Sequence, residues 1–579
     1  MALTSALNMT LSGMMTTELK TNLSSQNITN ADKEGYTRKS LDTRYITTTS
    51  GSVPISGLVV GAGNAFLTKA LSDDTSTYSK ANTVNLSLDY YNTQLGSTDG
   101  NNSLSTYTDN LYSSLKALAT TPEISSNKAD AVSTANYLAG SLRSMSATIQ
   151  TQRAEAEKKI ATSVDNVNAI LDRIDMLNDK IAETHAQDAS MAEYEDQRNV
   201  EIQRLSAEMN IQYFYNSNNL MQIYTSSGQA LLLSDAHHLS YNVTNIVNGS
   251  VTYPTGFSSI DLDGVDITNA IVDGNMGANI QLRDQTYIGE QAKLDELASV
   301  LKTQVNTLLN TGASNPPRNV MTGSLAGLTG ATAFTASGTI RVAITDGNGT
   351  IQNYSDINLG AMTTINNVLT ALNAVPGLTA TLNSGGQLNL SVSPASNGVV
   401  INPLASQVTS SSNESFSQYF GLNDLFVGTN AEDIQVSSYL LSNPDYLSTG
   451  VLSSSATLAV GDRGVAKGDG SVADALANML LSAQSFSAAG NFSAQSSTLL
   501  GYAQAYIANA ANQSRIAQNE SDTALTVYKA SSDMLTSTSG VNIDEETAKM
   551  LVYQNQYAAS AQVVSTIQKM LDDLINAMR

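Results

Sequence analysis

The sequence predicts an α+β multi-domain chain: N- and C-terminal helices paired as a coiled coil, a long helical-bundle shaft, and mainly β inserted domains. Three observations predict it. From Met550 apolar side chains recur every seven residues (Met550, Tyr557, Val564, Leu571, Met578), with a second row three positions on at Tyr553, Ser560, Ile567 and Leu574. That is an a/d seam, the pattern of a helix that packs lengthwise on another helix. The opposite end of the chain carries an amphipathic stretch of its own. Between the ends, residues 320–440 turn rich in Gly, Thr, Ser and Asn, with alternating segments such as Thr339-Ile340-Arg341-Val342-Ala343-Ile344 that read as strands.

Taken in order, residues 1–28 place Leu3, Leu7, Leu11, Met14, Met15, Leu19 and Leu23 mostly at steps of three or four. This predicts a helix with Ser, Thr and Asn on its other face, which pairs with the C-terminal rod. Asn30 and Gly35 suit a tight exit from that helix. The Thr-rich run to Val60 reads as extended chain punctuated by glycines. Helical periodicity returns near Phe66, in the stripe Ala81, Val84, Leu88, Tyr91 and Leu95. It continues in Leu104, Tyr107, Leu111, Leu115 and Leu118 and breaks at Pro122. A long helix over about 128–185 is seamed by Ile160, Val164, Val167, Leu171, Ile174 and Ile181. Another helix, 192–209, leads into a small β region at 211–283 with turns at Ser227-Gly228, Asn248-Gly249 and Asp273-Gly274. One further helix spans Leu294 to Leu308, and helices resume near Val472. The terminal rod starts at Asn542, an N-cap with Glu545 placed to answer it.

This nesting gives three domains: 1–40 with 540–579 as a terminal coiled coil, 41–319 with 441–539 as the shaft, and 320–440 as an inserted outer domain. The two terminal helices, low in charge and modest in hydrophobicity, are expected to be marginal alone and to fold on assembly.

Composition narrows function. Charged residues are 14% of the chain, against roughly 25% in an ordinary soluble domain. The formal net charge of −22 argues against a phosphate-binding, nucleic-acid surface. There are no cysteines, so disulfides and thiolate chemistry are excluded. No cleavable signal sequence is visible, and no apolar run approaches a bilayer span.

Catalytic and metal readings find no support. The histidines are His185, His237 and His238, and Asp235-Ala236-His237-His238 has no third ligand at a recognisable spacing. Asp346-Gly347-Asn348-Gly349-Thr350 begins like a calcium loop, but its sixth and twelfth positions are Ile351 and Ile357, so it reads as a hairpin turn. Gly61-Ala62-Gly63 has Phe66 where a dinucleotide loop needs a third glycine. The chain is expected to have no catalytic residues, cofactor or metal site.

Ordered motifs carry a resemblance. Ser25-Gln26-Asn27-Ile28-Thr29-Asn30, followed by Gly35-Tyr36-Thr37-Arg38, resembles the N-terminal signature of the bacterial flagellar axial proteins, the rod, hook and hook-filament junction subunits. The junction landmarks follow in order: Asp196-Gln197-Arg198, Leu282-Arg283-Asp284, Tyr419-Phe420-Gly421-Leu422-Asn423-Asp424-Leu425-Phe426, and Ser539-Gly540-Val541-Asn542-Ile543-Asp544-Glu545-Glu546. Gln26 stands where the family has Asn, and Thr16, Thr17 and Lys20 replace an Ala-rich stretch.

The resemblance implies a structural subunit of the flagellum at the distal end of the hook, exported by the type III apparatus. Its implied partners are copies of itself, hook protein, the second junction protein (hook-associated protein 3) and an export chaperone on the C-terminal region. The turn motif would be Asn27, Asn30, Gly35, Tyr36, Thr37 and Arg38. The inter-subunit seam would be Leu7, Leu11, Met14 and Leu19 with Met550, Tyr553, Tyr557, Val564, Ile567, Leu571, Leu574 and Met578. Other axial subunits, or a surface adhesin that binds glycans through the β insert, are the alternatives.

Overall fold

The computed structural model describes residues 2–48, 51–55, 57–96, 103–184, 189–409 and 411–577. His185 and Met578 lie outside them. Thirteen α-helices occur among the described residues. In chain order they are α1 (Ala2–Thr29), α2 (Ala65–Leu95), α3 (Leu104–Thr120), α4 (Ser125–Glu183), α5 (Ala189–Glu208), α6 (Gly274–Gln281) and α7 (Tyr287–Leu309). Then come α8 (Ile365–Asn373), α9 (Phe416–Phe420), α10 (Ser438–Ser442), α11 (Ser471–Leu481), α12 (Leu499–Ser539) and α13 (Ile543–Ala577). None is long and apolar enough to cross a membrane.

The chain forms two compact units. One is Met1–Leu88, Arg153–Gln285 and Ser514–Arg579; the other is Asp89–Gln152 and Thr286–Gln513. In the first, the seam Ile160, Val164, Val167, Leu171 and Ile174 of α4 is buried against Ile202, Leu205 and Met209 of α5. The antiparallel strands Ile211–Tyr215, Met221–Thr225 and Ala230–Leu232 complete that core through Tyr213, Met221, Ile223 and Leu232. The β region is shorter than its turns suggested. Asp273-Gly274 is a helix start, with Asp273 as N-cap of α6 and Gly274 at φ +74°. Around Asn248-Gly249 the chain is loop, because residues 241–260 are tied down by arginine side chains instead of strand partners. Arg153 donates to the carbonyls of Asn248 (3.0 Å) and Val251.

The landmark Leu282-Arg283-Asp284 forms a π-helical turn, Leu282–Thr286, leading into α7. Arg283 is fully buried there and donates to Glu157 (2.7 Å), to the Tyr241 hydroxyl (2.6 Å) and to both oxygens of Asp284. A buried guanidinium so fully paired avoids the desolvation cost of a lone charge.

In the second unit the strands Thr339–Asp346, Ile351–Asn358 and Asn397–Asn402 form one antiparallel sheet, with Thr339–Asp346 central. Val320–Thr322, Leu388–Val392 and Leu378–Leu382 form another. The hairpin at Asp346–Thr350 is closed by the Asp346 carboxylate, which accepts from the Asn348 and Thr350 amides at 2.9 Å. Phe334, Val342, Ile344, Ile365, Leu390, Ile401, Phe416 and Phe420 share one core beneath α8 and α9. At the end of α9, Gly421 adopts φ +63°, and a Cβ there would meet Ser324 Oγ at 1.9 Å, so only glycine fits.

Candidate assembly site at the terminal helices

Helices α1 and α13 pack against each other. The rod begins as its sequence suggested: the Asn542 side chain accepts from the amides of Asp544 (3.0 Å) and Glu545 (3.2 Å). Glu545 does not complete a capping box; it turns outward to Lys549 (2.7 Å) and Arg38 (3.5 Å). Along α13 the a/d row is only partly covered. Glu546 and Ile567 are buried, and Met550, Tyr553, Val564 and Leu571 are half-buried, whereas Tyr557 and Leu574 stay exposed. A further row, Val552, Val563 and Met570, is exposed as well.

The N-terminal stripe behaves differently from its sequence reading. Thr16, Thr17, Leu23, Ser24 and Asn27 are the buried positions of α1. Leu7 and Met14 are half-buried, while Leu11, Met15 (63% exposed) and Leu19 face away from cover. The physical reason is local. Thr16 and Thr17 return their hydroxyls to the carbonyls of Ser12 and Gly13 at 2.8 Å, so they can sit in a helix interface without an unpaired polar atom. Lys20 lies over the Tyr553 ring at 6.0 Å.

The turn after α1 is the most polar buried place near the termini. Asn27 is the hub. Its amide nitrogen donates to the Lys39 carbonyl (2.9 Å) and to Glu546 Oε2 (3.0 Å). Its oxygen accepts from the Lys39 amide (2.9 Å) and the Tyr36 hydroxyl (3.0 Å). One side chain thus joins the end of α1, the returning chain and the start of α13. Asn30 caps the helix by donating to the Gln26 carbonyl at 2.9 Å. Gly35 stands at φ +72°, and a Cβ there would lie 2.2 Å from Val200 Cγ2. Conformation and space both demand glycine.

Thr37 binds Asp196 of α5 twice, through its amide (3.0 Å) and its hydroxyl (2.7 Å). Lys39, 4% exposed in its side chain, forms a buried ion pair with Asp196 and donates to the Ala192 carbonyl at 2.9 Å. Burial pushes the Lys39 ammonium down, and Asp196 opposes it. Burial, then the negative charge of Asp196, Glu193 and Glu546, raises the Tyr36 hydroxyl to about 12, so it remains a donor. Arg38 pairs with Glu545 of the same chain, and its amide donates to the Ser539 carbonyl at 2.8 Å. Its own carbonyl accepts from Ala62 at 2.8 Å.

The six predicted turn residues therefore cluster between the end of α1 and Arg38, and three of them, Asn27, Thr37 and Arg38, bond to segments far apart in sequence. Lys39, Asp196 and Glu546 complete it and were not singled out as site residues. Asp196 and Glu546 stood inside quoted motifs, but only the folded chain shows that they meet. Arg198, from the Asp196 motif, is buried and donates to Asn178 (3.0 Å) and the Asn219 carbonyl (2.8 Å). It secures α5 to α4.

Residues 93–316 match the family described as flagellar hook-associated protein FlgK helical domain. Over that segment the chain carries the helical domain of the flagellar hook-associated protein 1 family. Residues 531–577, covering α13 and its approach, match the C-terminal family of the flagellar basal body rod FlgEFG proteins. The solved structure of the flagellar hook junction protein FlgK from Burkholderia pseudomallei shares the fold. At 15% identity and a TM-score of 0.52, the likeness covers 81% of this chain and 99% of that one. No curated protein matches the sequence. Together these matches support a structural role at the flagellar hook-filament junction. The matched families and fold are those of structural flagellar proteins.

Proposed function

We propose that the subunit assembles at the distal end of the hook, with hook protein below and the second junction protein above, through contacts between terminal helices of neighbouring copies. The observation that carries this reading is the surplus of uncovered apolar side chains on both terminal helices. Leu11, Met15 and Leu19 on α1, and Leu551, Val552, Val563, Met570, Leu574 and Ile575 on α13, are all exposed. Two helices of one chain cannot cover each other on every side. A contact of this kind repeated about a screw axis builds a tube. In this reading Leu7, Leu11, Met14 and Leu19 of α1 and the seven-residue rows of the C-terminal sequence, from Met550 to Met578, take part in the seam between copies. Segments 1–40 and 540–579 line the tube, 41–319 with 441–539 form the shaft, and 320–440 faces outward.

The polar turn fixes the angle at which the helices leave the shaft, because Asn27, Thr37 and Lys39 tie them to α5. The subunit reaches its place through the flagellar type III apparatus, and a chaperone covers the C-terminal region before export. No catalytic step or cofactor enters this role.

Labelled electron microscopy of isolated hook-basal bodies tests the placement. A band at the distal end of the hook is expected; label along the whole hook would instead make the chain a hook subunit. Deleting 320–440 separates assembly from adhesion. Loss of surface attachment with normal filaments would assign that insert to binding.

A further inference from the structure

The unit containing the inserted β body carries an open cleft of about 1000 Å³ near the end of α9, in a region to which the assembly role assigns nothing. Its walls come from residues 322–326, Gln387, 426–429, 435–439 and Leu441. The base is rigid. Asp424 accepts from Asn310 (2.7 Å) and from the Ser324 hydroxyl (2.6 Å), and the Tyr439 hydroxyl donates to the Asp424 carbonyl at 3.2 Å. Tyr419 is held by ring contacts to Phe334 (5.6 Å) and Phe420 (4.9 Å), yet remains partly exposed at the cleft.

What the cleft leaves unused is informative. Among the described residues, the Tyr419 hydroxyl, the Gln435 amide and the side-chain hydroxyls of Ser437 and Ser438 line it without a hydrogen bond. These are neutral groups that donate and accept, set beside an aromatic ring and the exposed Leu441. The charged lining is Lys302, Glu414 and Asp424, one base against two acids, which disfavours an anionic guest. Hydroxyl-rich ligands with apolar ring faces need this combination: paired donors and acceptors for the hydroxyls, a ring edge or face for the C–H surface, and a pre-formed concave shape.

We propose that this cleft is a binding site for a neutral oligosaccharide of a few sugar units. An extended protein segment is the less favoured occupant, because the free groups are side-chain hydroxyls and amides rather than a row of unpaired backbone donors.

Saturation-transfer NMR on the full-length chain tests it, with maltotetraose and chitotetraose as neutral probes and tetragalacturonate as the anionic one. At least one neutral tetrasaccharide is expected to bind with a millimolar Kd, and the anionic one not to bind. Tyr419→Ala weakens binding about tenfold and Gln435→Ala about threefold, since one loses a ring and the other a single hydrogen-bonding group. The Gln435 side chain is exposed and makes no internal hydrogen bond, so its substitution leaves the melting temperature unchanged and isolates the binding effect. Failure of both neutral probes to bind overturns the proposal. So does equal binding of tetragalacturonate, or unchanged affinity in Gln435→Ala together with a folded Tyr419→Ala. Filament assembly is unaffected by either variant, which keeps this result separate from the junction role.

Discussion

The inserted β body and the terminal helix pair are both built on regular apolar spacing, yet they use it oppositely. In the β body, Phe334, Val342, Ile365, Leu390 and Phe416 are each essentially inaccessible, and the chain covers its own apolar surface. In α13 only Glu546 and Ile567 are buried, although the helix runs from Ile543 to Ala577. One region is finished by the chain itself; the other leaves apolar surface uncovered. The same heptad logic that predicts a helix also predicts a surplus, and in the proposed assembly that surplus is where neighbouring copies attach. On that reading stability and assembly are carried by different residues, which substitutions can separate.

The largest effect belongs to the finished core. Phe334→Ala removes a ring in contact with Phe416, Tyr419 and Phe420 and is expected to cost about 3–5 kcal/mol in denaturant unfolding of the β body. A loss near zero would erase the contrast. Asp196→Ala strands the buried Lys39 ammonium and is expected to cost about 3 kcal/mol, read as a lowered melting temperature of the unit holding the turn. Gly35→Ala forces a positive φ and a clash with Val200, at about 2 kcal/mol. The smallest effect on the monomer is that of Met570→Asp on the exposed face of α13, within about 0.5 kcal/mol. That variant nonetheless fails to enter the junction in a motility and electron-microscopy assay.

Acidity sharpens the contrast from the other side. Burial alone would raise Glu546, but hydrogen bonds from Asn27, Lys549 and Ser24 outweigh it and hold its carboxyl below the ordinary glutamate range. A depressed carboxyl stabilises the fold fully above its unfolded value of 4.5 and loses that contribution as pH falls through the folded value. Circular dichroism should show α1 and α13 loosening below that pH, with Glu546→Gln abolishing the pH dependence.

Much of this was legible in the sequence, for identifiable reasons. The seam of α13, the Asn542 cap and the alternating strands at 339–344 follow from periodicity and local hydrogen bonding, which act within a few residues. The turn motif was legible as a shape, because Gly35 must take a positive φ. Its chemistry was not. Lys39, Asp196 and Glu546 come from three distant segments, and no local rule pairs them. Which face of α1 its own chain covers was not legible for a related reason: Leu11 and Leu19 are exposed, and Thr16 and Thr17, which satisfy their own hydroxyls, take buried positions. Asp273-Gly274 reads as a turn of the β region and is a helix start, since the same residue pair serves both.

Hydrogen exchange across the terminal helices, compared between purified monomer and assembled junctions, tests the central claim most directly. The account predicts weak protection of α1 and α13 in the monomer beside strong protection of the β body, and strong protection of both helices after assembly. Full protection of α1 and α13 in the monomer, unchanged on assembly, would contradict it.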